Sequence, residues 1–232
     1  MPSTEGRMIL TRDMKPGAPD LPLGGVLLDL DGVLRRFPAQ AMIERDHDYP
    51  VGSVAAVAFD PELLEPALTG AITHEQWCRN IAVRLAAAHG DRLRAYQTIK
   101  RWGRDRGVVD KEVLAIVRHL RQKVPVVIFT NATSRLPKDL ERLRLTDEVD
   151  AVVSSAGTGV AKPEPEAFRY AVRSLSRVHG KQLEAASVLV VDDSPRNVEV
   201  ATELGFRAHL FNDAHRLRMV VDALTRHARD MR

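Results

Sequence analysis

The order of apolar and polar positions divides the chain into two parts that predict different structures. After a short apolar run at Val26–Leu30, apolar residues recur every three or four positions, as along helices. From about residue 108 onward, short runs rich in Val and Ile alternate with stretches of helical spacing. Strands that alternate with helices are typical of a parallel sheet covered on both faces. The pattern therefore predicts an α/β fold with a doubly wound parallel sheet.

Five apolar runs predict the strands of this sheet. The first is the run at Val26, and the others lie at residues 125–130, 150–154, 187–191 and 206–211. The helices between and after them are predicted to begin behind Asp110 and to occupy residues 137–145, 165–178, 195–205 and 213–227. Ser194-Pro195 supports the fourth of these helices, because Ser caps a helix well and Pro suits its first position.

A helical segment separates the first strand from the rest of the sheet. Thr73-His74-Glu75-Gln76 has the spacing of a capping box, so a helix is predicted to begin there and to end near Gly90. Its buried face is predicted to carry Trp77, Ile81 and Leu85. Shorter helices are expected near residues 39–47 and 52–59.

The next helix in this segment is predicted to be capped by Asp91. We expect Leu93, Tyr96 and Ile99 to face inward along it. Together these helices are enough for a small bundle inserted into the α/β core. The predicted domains are a core of residues 23–34 and 108–232 and an all-helical cap of residues 35–107.

The first 22 residues are predicted to form a mobile tail. They contain Pro and Gly but lack the apolar stretch of a signal peptide. No apolar stretch in the chain reaches the roughly 18 residues that span a bilayer, so no membrane partner is predicted. The single cysteine, Cys78, excludes a disulfide within the chain and favours a reducing, cytoplasmic location. We interpret Cys78 as an ordinary helix residue.

Charge gives no reason to expect a nucleic-acid partner. The net charge is only +3, and Lys and Arg are spread along several predicted helices. Binding to nucleic acid would require a concentrated basic face. The composition, with 44% hydrophobic and 28% charged residues, is that of a packed globular protein. A monomer or a homodimer is expected.

Polar side chains recur where the predicted strands end, and parallel strands place their carboxyl ends on one edge of a sheet. The residues are Asp29 and Asp31 at the first strand, Thr130 and Asn131 at the second, Asp192 and Asp193 at the fourth, and Lys162 in the loop before residues 165–178. We therefore expect four carboxylates, a hydroxyl and an ammonium group to surround one crevice.

The residue types indicate phosphoryl chemistry. Several carboxylates sharing a site need a cation, and oxygen ligands favour Mg²⁺. Lys162 beside such a site, with the Thr130 hydroxyl opposite, suits the oxygens of a phosphoryl group. Asp29 is placed to attack phosphorus and form an aspartyl-phosphate. Asp31 is placed to protonate the leaving oxygen and then to activate water.

Each residue also has a purely structural interpretation. Asp29 and Asp31 could form a surface turn of the Asp-Gly type, although the apolar strand before them disfavours it. Thr130 could simply end a strand, and Lys162 could be an exposed loop lysine. Asp192 could be an acid at a helix N-terminus, where the helix dipole favours it.

Arg35 and Arg36 follow the first acidic motif directly. Two interpretations of them stay open at the level of sequence. They could meet a second anionic group on a substrate, or they could belong to a solvated loop.

With these residues in place, the chain resembles the haloacid dehalogenase-like (HAD) superfamily of hydrolases with a helical cap of the C1 type. The resemblance runs from about Val26 to Leu224 and rests on four motifs in the family's order. They are DLDGV, VVIFTN, VAKPEPEAF and VLVVDDSPRNV. The resemblance implies a Rossmann-like core with an all-helical insertion after the first motif.

The resemblance also implies roles for the motif residues. Asp29 would be the nucleophile, and Asp31 the acid and base, with its main-chain carbonyl on the metal. Thr130, Lys162 and the Asn131 amide would bind the phosphoryl oxygens of the substrate.

The fourth motif would complete a Mg²⁺ site that also includes Asp29 and Asp31. Asp193 would bind the metal directly. Asp192 would act through water or as an orienting neighbour, and Asn197 would steady the loop.

The implied function is a Mg²⁺-dependent phosphatase that acts on a small phosphorylated molecule. A phosphomutase would keep the same four motifs and return the phosphoryl group to the substrate. A haloacid dehalogenase is disfavoured by Asp31, since the family's dehalogenases lack the second acid of the first motif. A binding module without turnover is the alternative from a different class.

Overall fold

A computed structural model of the chain describes residues 21–38 and 40–230. The predicted tail lies outside the described residues except at its last two positions. The strands of the described part are β1 (Gly25–Leu28), β2 (Arg35–Arg36), β3 (Val108–Val109), β4 (Val126–Thr130), β5 (Ala151–Ser154), β6 (Val188–Asp192) and β7 (Arg207–Leu210). Its helices are α1 (Gln40–Asp46), α2 (Ser53–Ala58), α3 (Pro61–Leu68), α4 (His74–His89), α5 (Arg92–Trp102), α6 (Lys111–Arg121), α7 (Leu136–Arg142), α8 (Ser155–Thr158), α9 (Pro165–His179), α10 (Pro195–Glu203) and α11 (Ala214–Asp230).

Five strands form one sheet in which all neighbouring strands are parallel. Their order is β5-β4-β1-β6-β7. Strand β1 lies in the centre, where Leu27 is opposite Val127 of β4 and Val190 of β6. All carboxyl ends therefore lie on one edge of the sheet, the edge at which open α/β sheets bind their ligands.

Helices cover both faces of this sheet. On one face, Val26 and Leu28 of β1 pack in a cluster with residues of α6 and α11. On the other face, Leu27 packs in a cluster with residues of α9 and α10. This alternation follows from the two-residue period of a strand, and each large apolar side chain buried in this way contributes about 1.5–3 kcal/mol. The prediction of a doubly wound α/β fold with a helical insertion is confirmed.

Helices α1 to α5 lie between β2 and β3 in the chain and share a hydrophobic core of their own. Thr73 caps α4 through the predicted capping box, and Trp77, Ile81 and Leu85 are buried as expected. The limits of residues 35–107 for a cap domain remain a prediction. Among the described residues, none of the helices combines the length and hydrophobicity that crossing a membrane requires.

The predicted inward face of α5 is partly wrong. Leu93 is 66% exposed and Tyr96 is 53% exposed, whereas Ile99 is buried as predicted. The inward positions are Ala95, Thr98, Ile99 and Trp102. Small and polar residues occupy half of these positions, so the hydrophobic pattern alone indicated the wrong phase of the helix.

Two further elements differ from the prediction. Helix α3 begins at Pro61 and contains Pro66 in its interior, which is why its sequence resembles a break rather than a helix. Strands β2 and β3 form an antiparallel pair at the two ends of the helical segment, although no strand was expected at Arg35–Arg36. Two arginines have no strong strand preference, and their pairing partner lies more than 70 positions away in the chain.

Candidate active site

The first acidic motif lies in the loop that follows β1. The main-chain N–H of Asp29 still donates to Val191 O of β6 (2.9 Å), and Oδ1 of Asp29 accepts from Leu30 N (2.7 Å). The chain then turns at Gly32, whose φ of 84° is a left-handed conformation that glycine adopts without steric cost. Asp29 is buried at the carboxyl edge of the sheet, and Asp31 is partly exposed beyond it.

Lys162 is a buried ammonium group between two carboxylates. Its loop connects α8 to α9, and its Nζ lies 3.0 Å from Asp29 Oδ1 and 2.6 Å from Asp192 Oδ2. The same Nζ donates to Phe129 O (2.8 Å). Three oxygen partners satisfy the three donors of a lysine ammonium group. Burial of such a charge is tolerated because it is paired and hydrogen-bonded.

Thr130 and Asn131 occupy the end of β4, as predicted. Thr130 is buried and lies opposite Ser154 of β5. The Asn131 side chain bonds the main chain of Lys162 at both ends of its amide: Nδ2 donates to Lys162 O (2.7 Å) and Oδ1 accepts from Lys162 N (2.7 Å). The Asn131 side chain therefore holds the lysine loop, and the binding of a phosphate by the Asn131 amide remains a prediction.

Asp192 ends β6 and Asp193 follows it, and together with Asp29 they form a cluster of three acids. Asp29, Asp192 and Asp193 each offer one carboxylate oxygen, and these oxygens all lie within 4.8 Å of one another. Asp192 is fixed by two hydrogen bonds to its Oδ1, from Ser194 N and Asn197 Nδ2, both at 2.9 Å. An all-oxygen donor set at this spacing fits a hard divalent cation such as Mg²⁺.

Burial and mutual charge shift the pKa values in this cluster. Burial raises the pKa of Asp29 to about 7; the Lys162 ammonium opposes this shift, and the charge of Asp192 adds to it. Burial alone would lower the pKa of Lys162, but the charges of Asp29 and Asp192 outweigh burial and raise it. Partial burial and the neighbouring Asp192 raise the pKa of Asp193. Lys162 is therefore charged at neutral pH, whereas the raised pKa of Asp29 lies near neutrality.

The carboxylate of Asp31 lies outside the three-acid cluster and is held by Arg35. Nε of Arg35 lies 2.5 Å from Asp31 Oδ1, and Nη2 lies 2.9 Å from Oδ2. The guanidinium group of Arg35 is buried, with its Nη1 3.4 Å from Asp139 Oδ2 and its centre 4.9 Å from the ring centroid of Phe37. A planar guanidinium group matches a carboxylate in this two-point geometry and orients it.

Arg36 occupies a different environment from Arg35. Its side chain is 55% exposed and its Nη2 lies 3.1 Å from Asp110 Oδ2. The structure therefore gives different environments to two arginines that the sequence analysis could not distinguish. Arg36 belongs to the solvated surface, whereas Arg35 is part of the site.

A cavity of about 760 Å³ extends from Asp31 and Lys162, at the carboxyl edge of the sheet, to the helical segment. Asp31, Asn131 and Lys162 line its polar end. Its opposite wall is apolar and consists of Phe59, Leu64, Leu68, Trp77 and Trp102. The volume falls in the range of small-molecule sites, and pockets of this kind combine apolar walls with a few polar groups.

Among the lining residues of this cavity that the sequence analysis did not indicate are Arg135, Asp139 and His74. Asp139 joins two arginines, since its Oδ1 lies 2.9 Å from Arg135 Nε and its Oδ2 contacts Arg35. Burial lowers the pKa of His74, whose Nδ1 lies 2.9 Å from Thr133 Oγ1. The only local signal was the four-residue spacing of Arg135 and Asp139, which favours a helical ion pair.

Cys78 lies in α4, one helical turn after His74. Its Sγ is 3.4 Å from Nε2 of His74, and burial raises the pKa of the thiol to about 11. A thiol with so high a pKa is a poor nucleophile at neutral pH. These properties agree with the interpretation of Cys78 as an ordinary helix residue.

Comparison with known proteins gives the family. A sequence model described as haloacid dehalogenase-like hydrolase matches residues 23–205, which is more than half of the 232 residues. The chain belongs to the haloacid dehalogenase-like hydrolases. The matched range includes every predicted site residue of this HAD-like hydrolase, from Asp29 to Asp193.

Solved structures share the fold of this HAD-like hydrolase. A HAD-hydrolase of Bacillus subtilis bound to magnesium is 17% identical, with 87% of this chain and 100% of that chain covered and a TM-score of 0.64. A HAD family enzyme of Bacteroides thetaiotaomicron in complex with magnesium and inorganic phosphate is 20% identical, covering 84% and 98%, with a TM-score of 0.58.

One curated relative is closer in sequence over a shorter range. Ribulose-1,5-bisphosphate 5-phosphatase of Halopiger xanaduensis is 37% identical over 92 residues. The match covers 39% of this chain and 36% of the relative, so this chain spans only about a third of that protein's length.

Proposed function

We propose that this HAD-like hydrolase is a Mg²⁺-dependent phosphatase that hydrolyses a small phosphate monoester through an aspartyl-phosphate on Asp29. The contact of one buried ammonium group, Lys162 Nζ, with both Asp29 and Asp192 carries the proposal. It joins the proposed nucleophile to the end of β6, and both of its carboxylate partners belong to the three-acid cluster. The magnesium and phosphate bound by the Bacteroides enzyme and the activity named for the Halopiger relative support the same chemistry.

Asp29 is the proposed nucleophile. Its Oδ1 already accepts from Leu30 N and contacts Lys162, so we assign the attack on phosphorus to Oδ2. A bond forms between this oxygen and phosphorus while the bond from phosphorus to the leaving oxygen breaks. We assign the binding of the phosphoryl oxygens to the Thr130 hydroxyl and to Lys162, whose present contact with Asp29 one of these oxygens would replace. Asn131 positions Lys162 through its main chain.

Asp31 is the proposed acid and base. It lines the cavity into which the organic part of the ester would extend, and Arg35 orients its carboxylate. It gives a proton to the leaving oxygen and afterwards takes a proton from the water that attacks the aspartyl-phosphate. Free phosphate and restored Asp29 are the products.

Asp29, Asp193 and the main-chain carbonyl of Asp31 are the proposed ligands of Mg²⁺, with Asp192 as an orienting neighbour. The ion, when bound, supplies positive charge that neutralises the phosphoryl oxygens and the nucleophile. The spacing and the oxygen chemistry of the three-acid cluster support this assignment.

The test is phosphate release from a panel of phosphorylated metabolites, with Mg²⁺ and with a chelator. We expect Asp29→Asn to lose activity at least about a thousandfold, because the amide cannot attack phosphorus. Asp147→Asn, on the exposed surface, is the matched control and should keep the wild-type rate. Full activity of Asp29→Asn, or full activity in chelator, would refute the proposal.

The same assays separate the rival functions. Transfer of the phosphoryl group to a second position of the substrate, without free phosphate, would indicate a phosphomutase. Halide release from a 2-haloacid in the absence of metal would indicate a dehalogenase. Binding of phosphate esters with no turnover of any panel member or of an aryl phosphate would indicate a binding module.

A further inference from the structure

A second cavity lies outside the proposed active site, between the helical segment and the core. Its volume is about 430 Å³, and its walls come from α4, from α5 and the two residues after it, and from α7 together with Arg135 just before that helix. It shares His74, Gly103 and Arg135 with the larger cavity, but it contains none of the proposed catalytic or metal-binding residues.

The charge of this second cavity is strongly one-sided. Six of its lining residues are basic and one, Glu75, is acidic. The basic residues are Arg79, Lys100, Arg104, Arg135, Lys138 and Arg142. Only Arg135 is paired, with Asp139 at 2.9 Å; within the described part of the chain, the other five form no ion pair.

Exposed arginines elsewhere on the molecule are commonly paired with acids. Arg84, Arg101 and Arg169 each lie within 2.7 Å of a carboxylate oxygen. Other exposed basic residues, such as Arg177 and Lys181, also form no ion pair within the described part of the chain, so the distinguishing feature of the second cavity is that five such residues surround one concave site. Like charges around a concave site repel one another and attract an anion that neutralises them.

The floor of the second cavity is apolar. Cys78, Ala82 and Ile99 contribute to it, and Tyr96 stands at its side with half of its surface exposed. Lys100 Nζ lies 5.9 Å from the centroid of the Tyr96 ring. An apolar floor under basic walls suits an organic anion better than a simple inorganic ion, and the volume is that of a small-molecule site.

We propose that this basic cavity binds a small organic polyanion that carries two or more phosphate groups, with its organic part on the apolar floor. The walls belong both to the helical segment and to α7 of the core, so one bound anion would contact both. Arg135 lies in its wall, and Asp139 links Arg135 to Arg35 and thereby to Asp31. The proposed ligand would thus sit at the end of a chain of ion pairs that leads to the active site.

The test is isothermal titration of the full-length wild-type protein with sodium tripolyphosphate and, in parallel, with adenosine triphosphate, both with EDTA at low salt. The test variant is Arg79→Ala with Lys100→Ala, two exposed residues that lie outside the larger cavity. The control is Arg177→Ala with Lys181→Ala, two exposed residues of the core that change the net charge equally.

We expect the test variant to bind both anions roughly tenfold more weakly or worse, because charge-assisted contacts are lost, and the control to bind as the wild type does. Tighter binding of the nucleotide than of tripolyphosphate would support a role for the apolar floor, and equal binding would refute that part. Three results would overturn the site itself: no binding to the wild type at low salt, equal weakening in test and control variants, or loss of binding in Lys162→Ala but not in the test variant.

Discussion

At the scale of single residues, Gly32 allows the loop after β1 to approach the loop after β6. A Cβ atom at Gly32 would lie 1.8 Å from Oδ2 of Asp193, a distance that no side chain tolerates. Its φ of 84° also disfavours any other residue. The two loops can therefore approach so closely only because Gly32 has no side chain.

We expect Gly32→Ala to lower the proposed phosphatase activity by roughly a hundredfold, because the new methyl group would displace Asp193 and so disturb the proposed Mg²⁺ site. Gly90→Ala is the control, since Gly90 also has a φ of 84° but has no atom within 4 Å of its built Cβ. The control should lose only the about 1–2 kcal/mol of a strained backbone and keep its activity. Phosphate release and thermal unfolding of both variants measure the difference, and equal activities would contradict the proposed contact.

Asp29, a proposed ligand of Mg²⁺, has a pKa that burial shifts toward neutrality. Its pKa is raised to about 7, mainly because burial disfavours the charged form. Below that pH a proton occupies the carboxylate and competes with Mg²⁺, and above it the proton is already lost. The affinity for Mg²⁺ is therefore expected to rise with pH through neutrality.

The measurement is titration of Mg²⁺ into the protein between pH 5.5 and pH 8.5. Below pH 7, the affinity should fall by roughly tenfold per pH unit, as expected for the exchange of one proton. Asp29→Asn should bind Mg²⁺ more weakly and with a flatter dependence on pH. An Asn variant with the full wild-type slope would assign the proton to another group.

At the scale of elements, the sequence predicted a helix well where strong apolar residues mark its phase. Trp77, Ile81 and Leu85 fix the inward face of α4. Helix α5 has a weaker pattern, because two of its buried positions are occupied by a small residue, Ala95, and a polar one, Thr98. Periodicity could predict that α5 exists, but its phase depends on neighbours distant in the sequence.

Two leucines of these helices test this difference in burial. Leu85 is fully buried in α4, and Leu93 is 66% exposed on α5. Leu85→Ala should lower the free energy of unfolding by about 2–5 kcal/mol, as for a cavity in a packed core. Leu93→Ala should change it by about 0.5 kcal/mol or less. Denaturant unfolding of both variants gives the values, and comparable losses would place Leu93 in the core after all.

At the scale of the whole molecule, the sequence predicted which strand ends would meet. Asp29, Lys162 and Asp192 converge because parallel strands share one carboxyl edge, and that rule depends only on the order of elements. The contact of Arg35 with Asp139 joins residues 104 positions apart, and neither residue carries a local signal for the other. The sequence pattern also could not show that the side-chain amide of Asn131 would hydrogen-bond to the main chain of Lys162.

Arg35 connects the loop after β1, through Asp31, to α7, through Asp139. Its replacement should therefore affect both the stability of the protein and the geometry of the site. Arg35→Met would leave the Asp31 and Asp139 carboxylates without this partner and should lower the free energy of unfolding by roughly 2–4 kcal/mol. Activity should fall as well, because Asp31 loses its orientation. Arg36→Met, the same change at an exposed neighbour, should cost less than about 1 kcal/mol. Denaturant unfolding and phosphate release measure both effects, and equal behaviour of the two variants would contradict this assignment.

The pairing of β2 with β3 brings the two ends of the helical segment side by side, with Arg35 opposite Val109 and Arg36 opposite Val108. The chain thus departs from the α/β part and returns to it at almost the same place. A foreign helical bundle grafted between these two strands would leave the threading of the five-stranded sheet unchanged. The helical segment is therefore an insertion whose two ends are fixed to each other, and its exchange would not alter the order of the strands in the sheet.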